Sequence, residues 1–116
     1  MIHCKMPDSR LDTQPERRYP AVYVDMGVPL LLDTVLRMGA QKNRLVAKLA
    51  GASVVESGVD LFRIGERNYA MMKQVLACLN LRVHAEECGG NKPRTLYLYM
   101  MDGRVVIRSQ GTIREL

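Results

Sequence analysis

The chain has 116 residues, 47% of them apolar and 25% charged, with a formal net charge of +5. That length makes a single domain with a modest core, and no apolar run approaches the ~20 residues a helix needs to cross a bilayer, so membrane insertion is not expected. The basic residues fall in small groups such as Lys42, Arg44 and Lys48; with one Phe and no Trp, the aromatic-lined basic face of a nucleic-acid binder is missing and nucleic acid is not an expected partner.

In chain order, residues 1–4 read as a fragment of strand, and residues 5–20 read as loop, with Pro7, Asp8, Ser9, Pro15 and Pro20 set among charges. A helix is expected from Met26 to Met38, with Asp25 as its N-cap and Pro29 in the first turn, where a missing N–H costs least. Leu30, Leu31, Val35 and Met38 form its apolar stripe and Gly39 closes it. Residues 44–50 partly alternate and predict a strand ending at Gly51. Residues 52–63 are mixed. A second helix is expected from Gly65 to Leu79, with Ile64, Met71, Met72, Val75 and Leu79 on one face. Strands are predicted at 81–87, 95–101 and 104–109, with Asp102-Gly103 as a two-residue hairpin turn between the last two. The polar tail from Gln110-Gly111 to Leu116 is expected to trail off. The order of elements predicts an α+β layered domain, two helices packed on a mainly antiparallel sheet.

The first fifteen residues, polar and punctuated by proline, do not form a signal peptide, so the expected location is the cytoplasm. Three cysteines, Cys4, Cys78 and Cys88, are odd in number and lack CxxC spacing, which predicts reduced thiols, no disulfide framework and no metal site. A local cysteine–histidine pair is not expected. His3 and Cys4, as strand neighbours, point to opposite faces, and His84 and Cys88 on one strand lie ~13 Å apart. Cys78 flanks the apolar face of the second helix and reads as a small core residue. His84 reads as a partly buried histidine with a satisfied hydrogen bond.

Two motifs have a double reading. Gly89-Gly90-Asn91 joins strands, and its glycines allow backbone conformations closed to other residues. The same bare backbone would admit a substrate side chain and offer N–H donors to an oxyanion, with Asn91 adding one more. In Ile64-Gly65-Glu66-Arg67-Asn68, Glu66 suits the first turn of a helix by its charge alone. Arg67 and Arg94 suit either structural ion pairs or contact with an acidic partner.

The combination is more specific than its parts. His3 precedes Met6-Pro7-Asp8-Ser9. Arg18-Tyr19 leads to Leu30-Leu31-Leu32 and Met38-Gly39-Ala40, and Ala47-Lys48-Leu49-Ala50-Gly51-Ala52 follows. Then come the motif at 64–68, Gly89-Gly90-Asn91-Lys92-Pro93-Arg94, and Gly103-Arg104-Val105-Val106. In this order, over nearly the whole chain, they resemble the CheD family of chemoreceptor glutamine deamidases.

The resemblance implies hydrolysis of a glutamine carboxamide in a methyl-accepting chemotaxis receptor. A cysteine thiolate attacks, His3 serves as base and then acid, and Gly89, Gly90 and Asn91 bind substrate. It implies no cofactor and no metal, and a CheC-type phosphatase as a further partner. It also implies one deamidase domain over residues 1–116 that is incomplete at its N-terminus. The family's Gly-Ser-Cys strand, with the nucleophile and a nearby threonine, has no counterpart ahead of His3, which leaves the sheet short of N-terminal strands. The sequence leaves three accounts open: residues upstream of Met1 supply the cysteine, the chain is an inactive module binding receptors or the phosphatase, or a second polypeptide complements it.

Overall fold

Helix α1 spans Val24–Arg37 and begins where Tyr23, in an extended conformation, serves as N-cap. The sequence places this start two residues later, at an Asp25 cap. Asp25 instead lies in the first turn, and its carboxylate accepts the Ser9 N–H at 3.0 Å and the Ser9 hydroxyl at 2.7 Å. A carboxylate in that turn is favoured by the helix dipole, so the residue keeps its electrostatic role without being the cap. Pro29 therefore sits in the second turn, where it removes the N–H that would bond the Asp25 carbonyl. Helix α2 spans Ile64–Cys78, within a residue of expectation.

The computed structural model describes residues 1–14, 16, 19–54 and 63–116; the mixed stretch expected at 52–63 lies outside them from 55 to 62. The described strands are β1 (Ala47–Gly51), β2 (Val83–Cys88), β3 (Thr95–Leu98), β4 (Val105–Ser109) and β5 (Thr112–Glu115). β1 begins three residues later than expected, because residues 42–44 form a short 3-10 turn. β1 and β2 pair in parallel, from Ala47 against Val83 to Gly51 against Cys88, with α2 as the crossover that a parallel pair requires. β3, β4 and β5 form an antiparallel sheet. The architecture is α+β, and antiparallel pairing predominates.

Two turns exchange roles relative to expectation. Asp102-Gly103 does not close a two-residue hairpin. The Tyr99 N–H donates to the Arg104 carbonyl at 2.9 Å and the Gly103 N–H to the Tyr99 carbonyl at 2.8 Å, so the loop holds residues 100–103. The tight turn is Gln110-Gly111, both at positive φ (47° and 81°), the type I′ geometry that matches strand twist. It returns the tail as β5, with Ser109 opposite Thr112.

The core cluster joins Val24 and Val28 of α1 to Leu76 of α2, with Ala47 and Leu49 of β1, Val83 of β2, and Cys4 packed against it. The helices thus bury their apolar faces on the parallel pair. The antiparallel sheet buries Val105, Val106 and Ile107. It is tied to the rest through Lys48 Nζ to the Leu116 carbonyl, Ser109 Oγ to the Pro93 carbonyl at 2.9 Å and the Arg114–Glu87 ion pair. Among the described residues, no helix is long and apolar enough to cross a membrane.

Candidate functional site

The histidine-bearing segment runs across the start of α1. Burial alternates along it: His3 and Lys5 are exposed, while Ile2, Cys4 and Met6 face inward. The Ile2 side chain lies so close to Gly27 that a Cβ there would be 2.6 Å from it. From Lys5 onward the backbone is pinned. The Lys5 and Met6 N–H groups both donate to the Val22 carbonyl, at 2.8 and 3.0 Å, and the Val24 N–H donates to the Met6 carbonyl at 2.9 Å. Among the described residues, no hydrogen bond or ion pair engages the His3 imidazole.

Opposite this segment stands α2, whose first turns carry the motif at 64–68. Gly65 is required by contact. A Cβ there would lie 2.9 Å from the carbonyl oxygens of both Ala52 and Ser53, closer than side-chain carbons approach backbone. Three residues on, Asn68 falls on the face that Met72 and Val75 turn to the core, at the spacing where i, i+3 neighbours meet. Its Nδ2 donates to the Lys5 carbonyl at 3.1 Å, while its Oδ1 is buried and accepts no hydrogen bond among the described residues. A neutral hydrogen bond contributes about 0.5–1.5 kcal/mol and an unpaired buried polar atom costs about 1–3 kcal/mol. As a stabilising device, then, Asn68 gains about 0.5 kcal/mol at best and is a net cost over most of that range. The residues do not single it out by composition; the signal is a polar side chain at the helical spacing Ile64–Asn68–Met72.

The Gly-Gly loop leaves the end of β2. Gly89 and Gly90 hold φ of 80° and 67°, in the region that favours glycine. The Gly89 N–H donates to the Gly51 carbonyl at 2.9 Å and the Val54 N–H to the Gly90 carbonyl at 2.8 Å, so the loop continues the parallel pairing past the strand ends. With its N–H so engaged, Gly89 is no donor to an oxyanion. Asn91 is exposed.

Arg94 folds back beneath this loop, with its side chain 9% exposed. Its guanidinium donates to Glu87 Oε1 at 3.0 Å, Ser53 Oγ at 2.6 Å, the Gly89 carbonyl at 2.7 Å and the Lys92 carbonyl at 3.2 Å. That is the fork geometry only Arg offers. Of the two readings open to Arg94, the structural ion pair is the one present.

Between the carboxyl ends of β1 and β2 and the first turns of α2 lies a cleft of about 620 Å³, lined by Glu66, Tyr69, Glu86, Glu87, Cys88 and Gly89. Crevices at the carboxyl ends of parallel strands are where α/β sheets bind ligands. Glu86 accepts the Tyr69 hydroxyl at 2.8 Å and Lys73 Nζ at 3.2 Å, and these bonds hold its carboxyl below the usual range. Burial, reinforced by Glu86, pushes the Cys88 thiol up, the opposite of what a thiolate nucleophile needs. Burial does the same for Cys4, whose Sγ points toward the Tyr23 carbonyl at 3.8 Å. Cys78, expected in the core, is instead exposed on α2, because it lies off the stripe that packs inward.

The first turns of α2 are therefore the piece shared by both sequence motifs. Asn68 holds the segment after His3, and Gly65 abuts Ala52 and Ser53, which lie between the two residues, Gly51 and Val54, that bond the Gly-Gly loop. Among the described residues, no hydrogen bond or ion pair joins His3 directly to Gly89, Gly90 or Asn91.

Residues 5–109 match the family model for CheD chemotactic sensory transduction. A protein of Desulforamulus reducens, named a probable chemoreceptor glutamine deamidase CheD, is 38% identical over 115 residues, covering 97% of this chain and 68% of the relative. One of Pyrococcus abyssi with the same name is 40% identical over 110 residues, covering 93% and 66%. A third, from Syntrophus aciditrophicus, is 33% identical over 117 residues, covering 100% and 73%.

Proposed function

Because the chain belongs to the CheD family, we propose that it is a protein-glutamine deamidase of the cytoplasm. It converts glutamines of methyl-accepting chemotaxis receptors to glutamate and releases ammonia. Residues 1–116 belong to one such domain, and a CheC-type phosphatase is its second partner.

The observation that carries this reading is the shared turn of α2. It lies against the His3 segment through Asn68 and against the Gly-Gly loop's neighbours through Gly65, so base and substrate loop have one rigid support. His3, exposed and unengaged among the described residues, takes the proton of a cysteine thiol. The thiolate attacks the carboxamide carbon. N–H donors of Gly90 and Asn91 hold the oxyanion. His3 then returns the proton to the departing ammonia, and water hydrolyses the thioester to glutamate. Cys4, Cys78 and Cys88 are not the nucleophile in this reading. Cys4 is turned to the core beside an outward His3, Cys78 sits exposed on the helix, and Cys88 is held as a thiol. The cysteine reaches His3 from outside these residues. The net charge of +5 favours approach to an acidic receptor surface.

The test incubates the whole native protein with a receptor cytoplasmic fragment carrying its glutamines. Ammonia release and the amide-to-acid mass gain are then followed, for wild type and His3→Gln. Conversion by wild type and its loss in His3→Gln support the reading. Binding of the fragment with no conversion overturns it in favour of an inactive module.

A further inference from the structure

We infer that Asn68 is a positioning residue for the His3 base, an inference that rests on the deamidase reading above. The argument lies in one peptide plane. In the Lys5–Met6 peptide, the Met6 N–H is held by the Val22 carbonyl at 3.0 Å and the Lys5 carbonyl by Asn68 Nδ2 at 3.1 Å. Both polar groups of that peptide are thus clamped, one from the approach to α1 and one from α2. The clamp lies two residues after His3. Among the described residues, no backbone hydrogen bond anchors residues 1–4; nearer the imidazole than Asn68 there is the Cys4 Sγ contact with the Tyr23 carbonyl, long at 3.8 Å.

The orientation of the amide is fixed by its partner. A carbonyl can only face Nδ2, since Oδ1 has no proton to give. The consequence is a buried Oδ1 without a donor among the described residues. An apolar side chain of the same shape would avoid that burden, and the Lys5 carbonyl, on an exposed residue, could bond water instead. Folding alone gives little reason for the amide, whereas catalysis does. With Asn68 removed, the segment keeps its Lys5 and Met6 N–H bonds to the Val22 carbonyl but loses the hold from α2 that fixes the tilt of the Lys5 carbonyl, and a change in that tilt shifts His3. Displacement of a reacting group by about 1 Å costs on the order of a hundredfold in rate.

The decisive variant is Asn68→Leu in the whole native protein, assayed on the receptor fragment. We expect the folded protein to persist with kcat down roughly 10- to 100-fold and KM unchanged. The imidazole NMR signal of His3, assigned by its loss in His3→Gln, should shift while that of His84 stays in place. Wild-type kcat with an unshifted His3 signal would overturn the inference. If Asn68→Leu does not fold, Asn68→Ser, smaller and still polar, is measured for the same two quantities. Should wild type prove inactive, the deamidase reading fails by itself, and the His3 signal still decides whether Asn68 positions that ring. Should His3→Gln abolish the rate while Asn68→Leu changes nothing, the reading stands and the inference falls.

Discussion

The Gly-Gly loop and the His3 segment flank the same turn of α2 but are held in opposite ways. Under the loop, one guanidinium satisfies two backbone carbonyls, a hydroxyl and a carboxylate, and the backbone itself continues the β1–β2 pairing. At the other side, the segment is tied by backbone bonds and one side-chain amide, and the imidazole it presents is left unengaged among the described residues. A substrate-binding loop must keep a fixed shape, whereas a general base must keep its lone pair available for a proton. The two regions therefore separate stability from chemistry, and substitutions on each side should read out differently.

The largest expected effect is on the chemical side. His3→Gln should lower the deamidation rate by about 10²- to 10⁴-fold, the usual contribution of a general acid–base group. Its thermal unfolding should match wild type, because an exposed side chain without partners changes stability by no more than about 0.5 kcal/mol. Arg94→Ala should do the reverse. Hydrogen bonds from a charged donor contribute about 1.5–3 kcal/mol each, and losing those to Ser53 and Gly89 should lower stability by about 3 kcal/mol in urea denaturation. Arg94→Lys should recover only part of it, since an ammonium cannot reproduce the fork. If Arg94→Ala stayed as stable as wild type, the loop would not be the rigid side of the comparison.

This contrast also explains what could be read from the residues. The helices were legible because their signals are local: an apolar face from Ile64 to Leu79, and Gly39 after α1. The family was legible because its motifs recur in order. Which of its two readings Arg94 takes was not, since its setting includes Ser53, which is 41 residues away in the chain and brought close by the parallel pairing. The two turns were misread for a physical reason. Asp-Gly is a strong signal for a type I′ hairpin, but the Asp102 side chain instead accepts the Arg104 N–H at 2.9 Å, which favours a longer loop. Gln110 adopts positive φ against its own preference because β5 gains a partner in β4. Asn68 reads only as the last residue of the motif at 64–68, with no role of its own, until the Lys5 carbonyl is seen beside it.

Glycine substitutions sharpen the comparison at the shared turn. Gly65→Ala should destabilise by about 1–3 kcal/mol, the usual cost of overpacking, because the added carbon meets two backbone carbonyls that cannot move aside. Gly89→Ala meets open space and bears only the left-handed backbone, about 1–2 kcal/mol. Calorimetric unfolding of both should give that order. The reverse order would mean that α2 can shift away from residues 52–53, and the shared support would lose its rigidity.

The smallest effect is a pH dependence confined to the stapled side. Arg94, and after it Arg114, holds the Glu87 carboxyl below its ordinary value of 4.5. A depressed carboxylate contributes stability that is fully present above the unfolded value and is lost as pH falls through the folded one, because the unfolded chain binds the proton first. The difference in denaturation midpoint between wild type and Glu87→Gln should therefore be constant at neutral pH and shrink as pH drops below about 4.5. Arg94→Ala should narrow that window, since it removes the first cause of the depression, whereas His3→Gln should leave it unchanged. A window that moved with His3 instead would mean that the two sides of the α2 turn are electrostatically coupled, and the separation of fold from chemistry would fail at the point where it is most sensitive.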